Sequence, residues 1–229
     1  MGKKKSDGAE NPAPSTLNRI SGYRTLARAG EARFIEKKSE FISHGAPVDS
    51  EGAARAFVDM SRRAHPQANH ICYAYRIGAD GAIQRMSDAG EPSGTAGVPI
   101  LETIKARGLV NCAIAVARNF GGILLGTGGL ARAYARACAI AIDACGVCVM
   151  EPTDLIDVTV PYPLWDIVRH ALKDMPCVLS NVEYAADVKA RIRVRSADAP
   201  AVLAKARDAS NARVLIGESR TSLEAWDEI

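Results

Sequence analysis

The chain has 229 residues, is 48% hydrophobic and carries 29 Lys and Arg against 26 Asp and Glu, for a net charge of +3. That length supports one large domain or two small ones. The balanced charge gives no whole-molecule field to gather nucleic acid, so any basic site must be local. No run of about eighteen apolar residues offers a membrane span, and the polar start MGKKKSDGAENPAPSTLN is no secretory signal.

Residues 1–18 read as a disordered basic tail, and residues 19–150 as the first domain. EARFIEKKSEFISHGAPV (31–48) alternates loosely and predicts one or two strands. Asp49 or Ser50 can cap a helix through about Ala64 that buries Ala53, Ala54, Phe57 and Met60, with Pro66 stopping it. NHICYAYRIG (69–78) reads as a strand ended by the hairpin signal Asp80-Gly81, with a short strand from Ala82 to Met86. Ser93 or Thr95 starts a helix with Ile100, Leu101 and Ile104 inward, terminated by Gly108. VNCAIAVAR (110–118) is apolar throughout and reads as a buried strand. A long helix runs from about Gly128 to Cys145, with Leu130, Tyr134, Ala137 and Ala141 along one stripe.

Glu151-Pro152 marks a boundary. Beyond it the pattern predicts strand 155–160, helix 163–173, strands 179–185 and 188–194, helix 200–209 and strand 212–218. This βαββαβ order is a ferredoxin-like split motif over residues 153–220, leaving 221–229 as a C-terminal tail. The fold class is therefore α+β.

Two glycine-rich loops interrupt the first domain: DAGEPSGTAGVPI (88–100) and RNFGGILLGTGGLARAY (118–134). In the second, Gly126, Thr127, Gly128 and Gly129 open a helix whose first amides have no intrahelical partner and whose dipole favours an anion. Arg132 and Arg136 share one helix face, and Arg118 ends the preceding strand. With Thr95, Gly121 and Gly122 they form a candidate anion site, unless the glycines serve only close packing. A P-loop is excluded because Thr127 stands where lysine belongs. The dinucleotide pattern is weak, because a long loop separates the glycines from the preceding strand.

In the first loop, Asp88 and Glu91 can cap backbone amides or act as an acid–base pair. No histidine or cysteine falls in either loop, so no nucleophilic triad is visible. Six cysteines without a secretion signal read as free thiols in a reducing, cytoplasmic compartment. Cys145-Gly-Val-Cys148 closes a helix instead of opening one. His65 and His70 flank Pro66, while His44 and His170 stand apart, so no metal and no cofactor is expected.

VKARIRVR (188–195) alternates apolar with basic. On a strand, Lys189, Arg191, Arg193 and Arg195 share the open sheet face at ~6.6 Å intervals. Unless neighbours compensate, such a row suits a polyanion and is a candidate nucleic-acid surface. Glu183 is one candidate compensator.

Taken together, HPQANHICYAYRIG, SDAGEPSGTAGVPIL and RNFGGILLGTGGLARAY resemble the YigZ/IMPACT family over residues 30–145. The resemblance implies a two-layer N-terminal domain like those of a small-subunit ribosomal protein, RNase PH and GHMP kinases. It also implies a ferredoxin-like C-terminal domain similar to domain V of elongation factor G. The shared positions include His65, His70, Asp88, Glu91, Thr95, Arg118, Phe120, Gly121, Gly126, Thr127, Gly128, Gly129 and Tyr134. Asn119 and Met86 depart from the pattern, which places aromatic residues there. Eukaryotic relatives regulate translation under amino-acid starvation. The expectation is a non-enzymatic translation-associated regulator binding RNA, the ribosome or a translation-related protein. A small-molecule enzyme acting on a phosphorylated metabolite or nucleotide, and a protein-binding adaptor, are the alternatives.

Overall fold

The computed structural model describes residues 22–227; the basic tail expected at 1–18 lies outside them. The chain enters as β1 (Tyr23–Leu26) and then forms the hairpin β2 (Gly30–Glu36) and β3 (Ser39–Pro47). This hairpin turns through Lys37 and Lys38, both left-handed, with φ 45° and 65°. α1 (Glu51–Ala64) is capped by Ser50, whose hydroxyl accepts the Ala53 amide at 3.2 Å. The antiparallel pair β4 (His70–Ile77) and β5 (Ile83–Ser87) follows. Next come α2 (Gly97–Ala106), β6 (Cys112–Asn119) and the nineteen-residue α3 (Thr127–Cys145).

These strands form one antiparallel sheet in the order β2-β3-β6-β4-β5. β6 is central, and its two-faced burial explains its apolar run. Cys112, Ile114 and Val116 pack with Ile100, Leu130, Tyr134 and Ala141 of α2 and α3. Ala113 and Ala115 point the other way, toward Ala54, Phe57 and Val58 of α1. Met60, expected inward, is 55% exposed; Val58 and Ser61 take the buried positions on that stripe.

The second sheet is built on β7 (Val147–Pro161), with β8 (Cys177–Tyr184), β9 (Asp187–Arg195) and β10 (Leu215–Asp227). The order β8-β9-β7-β10, all antiparallel, is that of a ferredoxin-like sheet. α4 (Trp165–Ala171) and α5 (Ala199–Ala209) cover the face bearing Ile156, Val158, Val160, Val188, Ala190, Ile192 and Val194. On α4, Ile167 is 53% exposed while Trp165 is buried.

Three boundaries differ from the sequence reading. Pro152 does not interrupt β7. Its carbonyl accepts the Ser196 amide, so its nitrogen faces the gap between the register of β1 (147–150) and that of β9 (153–161), where no ladder bond is lost. Residues 221–227, expected as tail, are strand, with Thr221 to Asp227 paired to Asp154 to Cys148. β1, expected in the first domain, pairs with β7, while Leu26 enters the first core and the Arg24 carbonyl accepts the Val110 amide. β1 therefore stitches the two sheets together. Among the described residues no helix is long and apolar enough to cross a membrane.

Candidate anion-binding site at the start of α3

The first glycine loop is closed on itself. Asp88 Oδ2 accepts the Gly94 amide at 2.8 Å, and Oδ1 accepts those of Ala96 and Gly97 at 2.9 and 2.8 Å. Asp88 thus caps α2 from nine residues upstream, in place of Ser93 or Thr95. Burial alone would push its carboxyl up, but the three amide bonds together hold it below its ordinary value. Thr95, expected at the ligand, donates its hydroxyl to the Pro92 carbonyl at 2.6 Å and is buried.

Glu91 is buried too. Its Oε1 accepts Arg118 Nη1 at 2.7 Å and the Tyr134 hydroxyl at 2.8 Å, with side-chain exposures of 3% for Glu91 and 6% for Arg118. Arg118 Nη2 donates to Ser39 Oγ at 3.2 Å, and the guanidinium lies 5.5 Å from the ring centroids of both Phe41 and Phe120. Burial pushes the Cys72 thiol, which donates to Tyr134, up to about 12. Asp88 therefore holds the loop and the start of α2 together, while Glu91 Oε1 ties Arg118 to Tyr134 and the residue borders a cavity beside Thr127. Arg118 is carried inward by β6 and paired with Glu91, yet it borders the cavity beside Thr127 and its Nε meets no partner among the described residues.

The second loop behaves differently. Gly121 sits where an added Cβ would lie 2.0 Å from the Lys38 carbonyl carbon and oxygen, which seats the loop on the β2–β3 turn. Gly126 (φ 73°) then opens α3 with no side-chain cap, and its carbonyl takes the Leu130 amide at 2.8 Å. Among the described residues, nothing accepts from the amides of Thr127, Gly128 and Gly129. These three donors sit at the positive end of a nineteen-residue helix, where Thr127 and Gly128 are exposed and Gly129 is half-buried.

Two cavities flank this helix start, with Leu125 between them. One, of about 420 Å³, is bordered by His70, Glu91, Phe120, Leu124 and Thr127. His70 Nδ1 is held by the Ala89 carbonyl at 3.0 Å. The other, of about 270 Å³, holds Lys37, Arg132 and Arg136 beside Gly129. Arg136 lies over Phe34 at 4.4 Å and reaches Glu36 at 3.7 Å. Lys37, Lys38 and Arg132 meet no carboxylate among the described residues. Sequence reasoning found the arginines but missed the two lysines; the signal was KK at a hairpin tip, which the turn brings under Gly121.

The cationic row on β9 is compensated. Arg191 makes a two-pronged pair with Asp157 at 2.7 and 3.1 Å, Arg193 pairs with Glu224, and Arg195 pairs with Glu151. Trp226 stacks under Arg193 and Arg195 at 4.0 and 4.4 Å. Lys189 stands opposite Glu183 on β8, as the sequence allowed. The premise of unopposed cations fails, because β7 and β10 bring carboxylates onto the same face.

Among the described residues no group of three or more His, Cys, Asp or Glu side chains is placed to hold a metal ion. His44 and His65, read as separate, meet with Nε2 atoms 2.6 Å apart. Asn119 donates to Glu40 at 3.1 Å, and Met86 is 48% exposed.

A helix-covered antiparallel sheet joined to a ferredoxin-like one, with an open-ended α3 over a glycine loop, defines a two-unit α+β protein. The profile of the Impact N-terminal domain matches residues 37–142, and that of a domain of unknown function (DUF1949) matches 158–213. IMPACT family member YvyE of Bacillus subtilis is 36% identical over 170 residues, covering 74% of this chain and 78% of its own. IMPACT family member YigZ of Escherichia coli is 48% identical over 100 residues, 43% of this chain and 49% of its own. A crystal structure described only as that of a hypothetical protein has a TM-score of 0.57 at 32% identity, covering 86% of this chain and 97% of the other. The chain belongs to the IMPACT family.

Proposed function

We propose that this chain is a non-enzymatic, translation-associated cytoplasmic regulator that grips the phosphate backbone of RNA, free or in the ribosome, at the start of α3. The observation that carries the reading is the set of unbonded Thr127, Gly128 and Gly129 amides beside Lys37 and Arg132, which pair with no carboxylate among the described residues. Backbone donors at a helix start suit a phosphate oxygen, and cations nearby add counterion release. The enzyme alternative is weakened, since Asp88 is taken up by three backbone amides and Glu91 Oε1 by Arg118 and Tyr134.

Salt-titrated binding to ribosomes and structured RNA tests this. Lys37→Ala with Arg132→Ala should lower the salt slope by about 0.7–0.9 per lost phosphate contact. Wild-type protein that binds neither target at low salt refutes it. One observation favours a protein partner instead: Phe120, Ile123 and Leu124 are 45%, 41% and 82% exposed along the same loop. Capture that survives nuclease and high salt, and fails on Leu124→Asp, identifies that adaptor role.

A further inference from the structure

On the opposite face of the first sheet, α1 lies over β6 and β4, leaving a groove of about 380 Å³ along the β4–β5 edge. That size lies within the ~300–1,000 Å³ of ordinary small-ligand sites. Its floor is aromatic: Tyr73 and Tyr75 project to the same side of β4 with rings 7° from parallel and centroids 6.1 Å apart. Its banks are guanidinium: Arg55 and Arg62 from α1 and Arg85 from β5.

The two tyrosines differ in a way that matters. Tyr75 is 3% exposed and donates its hydroxyl to Glu51 Oε1 at 3.1 Å. Glu51 also takes Arg55 at 3.0 Å and lies 3.5 Å from Arg85, so its charge is answered by both arginines. Tyr73 has no such anchor: among the described residues its hydroxyl meets no partner, and its ring is only half-buried. Arg62 lies over it with Cζ 5.9 Å from the ring centroid, tied only to Asp59 at 2.8 Å and 52% exposed.

A flat ring placed between Tyr73 and Arg62 needs about twice the ~3.5 Å contact distance, or roughly 7 Å. The existing 5.9 Å gap is short of that by about an ångström, which an exposed arginine side chain supplies by rotating. We infer that this groove seats an unpaired nucleobase of single-stranded RNA, stacked between Tyr73 and the Arg62 guanidinium. Arg55, Arg62 and Arg85 outnumber Glu51 and Asp59, so the groove leaves one cation in excess for the flanking phosphate. The inference rests on RNA being the partner, but places a contact on the face away from α3.

The test is fluorescence anisotropy with a short fluorescein-labelled oligoadenylate. Tyr73→Ala should weaken binding between about fivefold and a hundredfold with an unchanged salt slope, since stacking moves no counterion. Tyr73→Phe should bind as wild type, and Arg62→Ala, on an exposed side chain, should weaken binding without lowering thermal stability. If Lys37→Ala with Arg132→Ala weakens binding while Tyr73→Ala and Arg62→Ala do not, the groove is no base site and the α3 contact stands. If the groove variants weaken binding and the α3 variants do not, the groove stands and the α3 contact falls. Wild-type protein that ignores the oligonucleotide overturns the groove, and ribosome binding then judges the α3 reading separately.

Discussion

Glu91 is the residue whose replacement most sharply separates a scaffold from a catalytic site. Glu91→Gln removes its charge but keeps an oxygen to accept the Tyr134 hydroxyl, now 2.8 Å away. Arg118, whose side chain is 6% exposed, is then left buried without its counter-charge. Stranding one member of a buried pair costs about 3–5 kcal/mol. With a urea slope of about 2 kcal/mol per M, the midpoint should drop by about 2 M. Glu91→Ala, which also strands the Tyr134 hydroxyl, should lose about 1 kcal/mol more.

The assay follows from where the chromophores sit. Trp165 opens α4 and Trp226 lies on β10, both in the ferredoxin-like half, so tryptophan fluorescence follows that half, while far-ultraviolet circular dichroism follows both. The loss should appear first in the dichroism transition. Adding Arg118→Met to Glu91→Gln should recover at least about 2 kcal/mol, because no charge is then buried and the thioether can lie between Phe41 and Phe120. A Glu91→Gln protein within about 1 kcal/mol of wild type would refute the reasoning, because it would mean Arg118 is solvated through the cavity that it borders.

Four further outcomes are expected. Asp88→Ala should cost about 2 kcal/mol, the top of the capping range, in the same urea titration. Because the folded Asp88 carboxyl lies below its ordinary 3.8, its contribution is complete above that pH and fades as acid protonates it, and Asp88→Asn should flatten that acid slope. Burial, then the charge of His65, hold His44 below its ordinary 6.5, with Glu31 opposing. Stability should therefore be flat above about pH 6.5 and fall below it as the unfolded chain takes up more protons, a fall that His44→Gln should reduce. Gly121→Ala should lower the thermal midpoint markedly and loosen the β2–β3 turn in hydrogen exchange, since its Cβ would sit 2.0 Å from the Lys38 carbonyl. Asp157→Asn with Glu224→Gln and Glu151→Gln should steepen the salt dependence of RNA binding by up to about 2–3, whereas Arg191→Ala, Arg193→Ala and Arg195→Ala should leave the native slope unchanged. A wild-type slope that drops with those arginines would return the second sheet to the interface.

What the sequence made legible is local. The apolar run of β6, the helix of 127–145 and the βαββαβ order are written in spacing and glycine placement, and the long glycine motifs carry the family. What it hid is pairing across distance. No periodicity announces that Arg118 spends its charge on Glu91, 27 residues earlier, or that Arg193 meets Glu224, 31 residues later. A strand pattern shows which side chains share a face but leaves its neighbours open, so a row of cations read alone looks unopposed. β1 and the end of β10 were missed for the same reason. Each is short or polar and becomes a strand only because β7 supplies a partner for it.

The same asymmetry explains where free binding capacity survives. Side-chain charges placed on paired strands are readily met by a neighbour, as Asp157, Glu151 and Glu224 do for β9. Backbone amides at a helix start need an acceptor at one particular spot, and the stretch ahead of α3 places none there, with Leu124, Leu125 and Gly126 preceding Thr127. α2 is the control within this molecule. Its start is also glycine-rich, but Asp88 lies nine residues upstream of Gly97 and takes the amides of Gly94, Ala96 and Gly97 there. A carboxylate grafted into the first turn of α3 by Gly128→Asp, where φ is not positive and an added Cβ meets only Arg132 Nη1 at 3.8 Å, should therefore answer that end as Asp88 answers α2. It should raise the stability of α3 in hydrogen exchange while reducing RNA binding, and a variant that gained RNA affinity would show that the amides were never the contact.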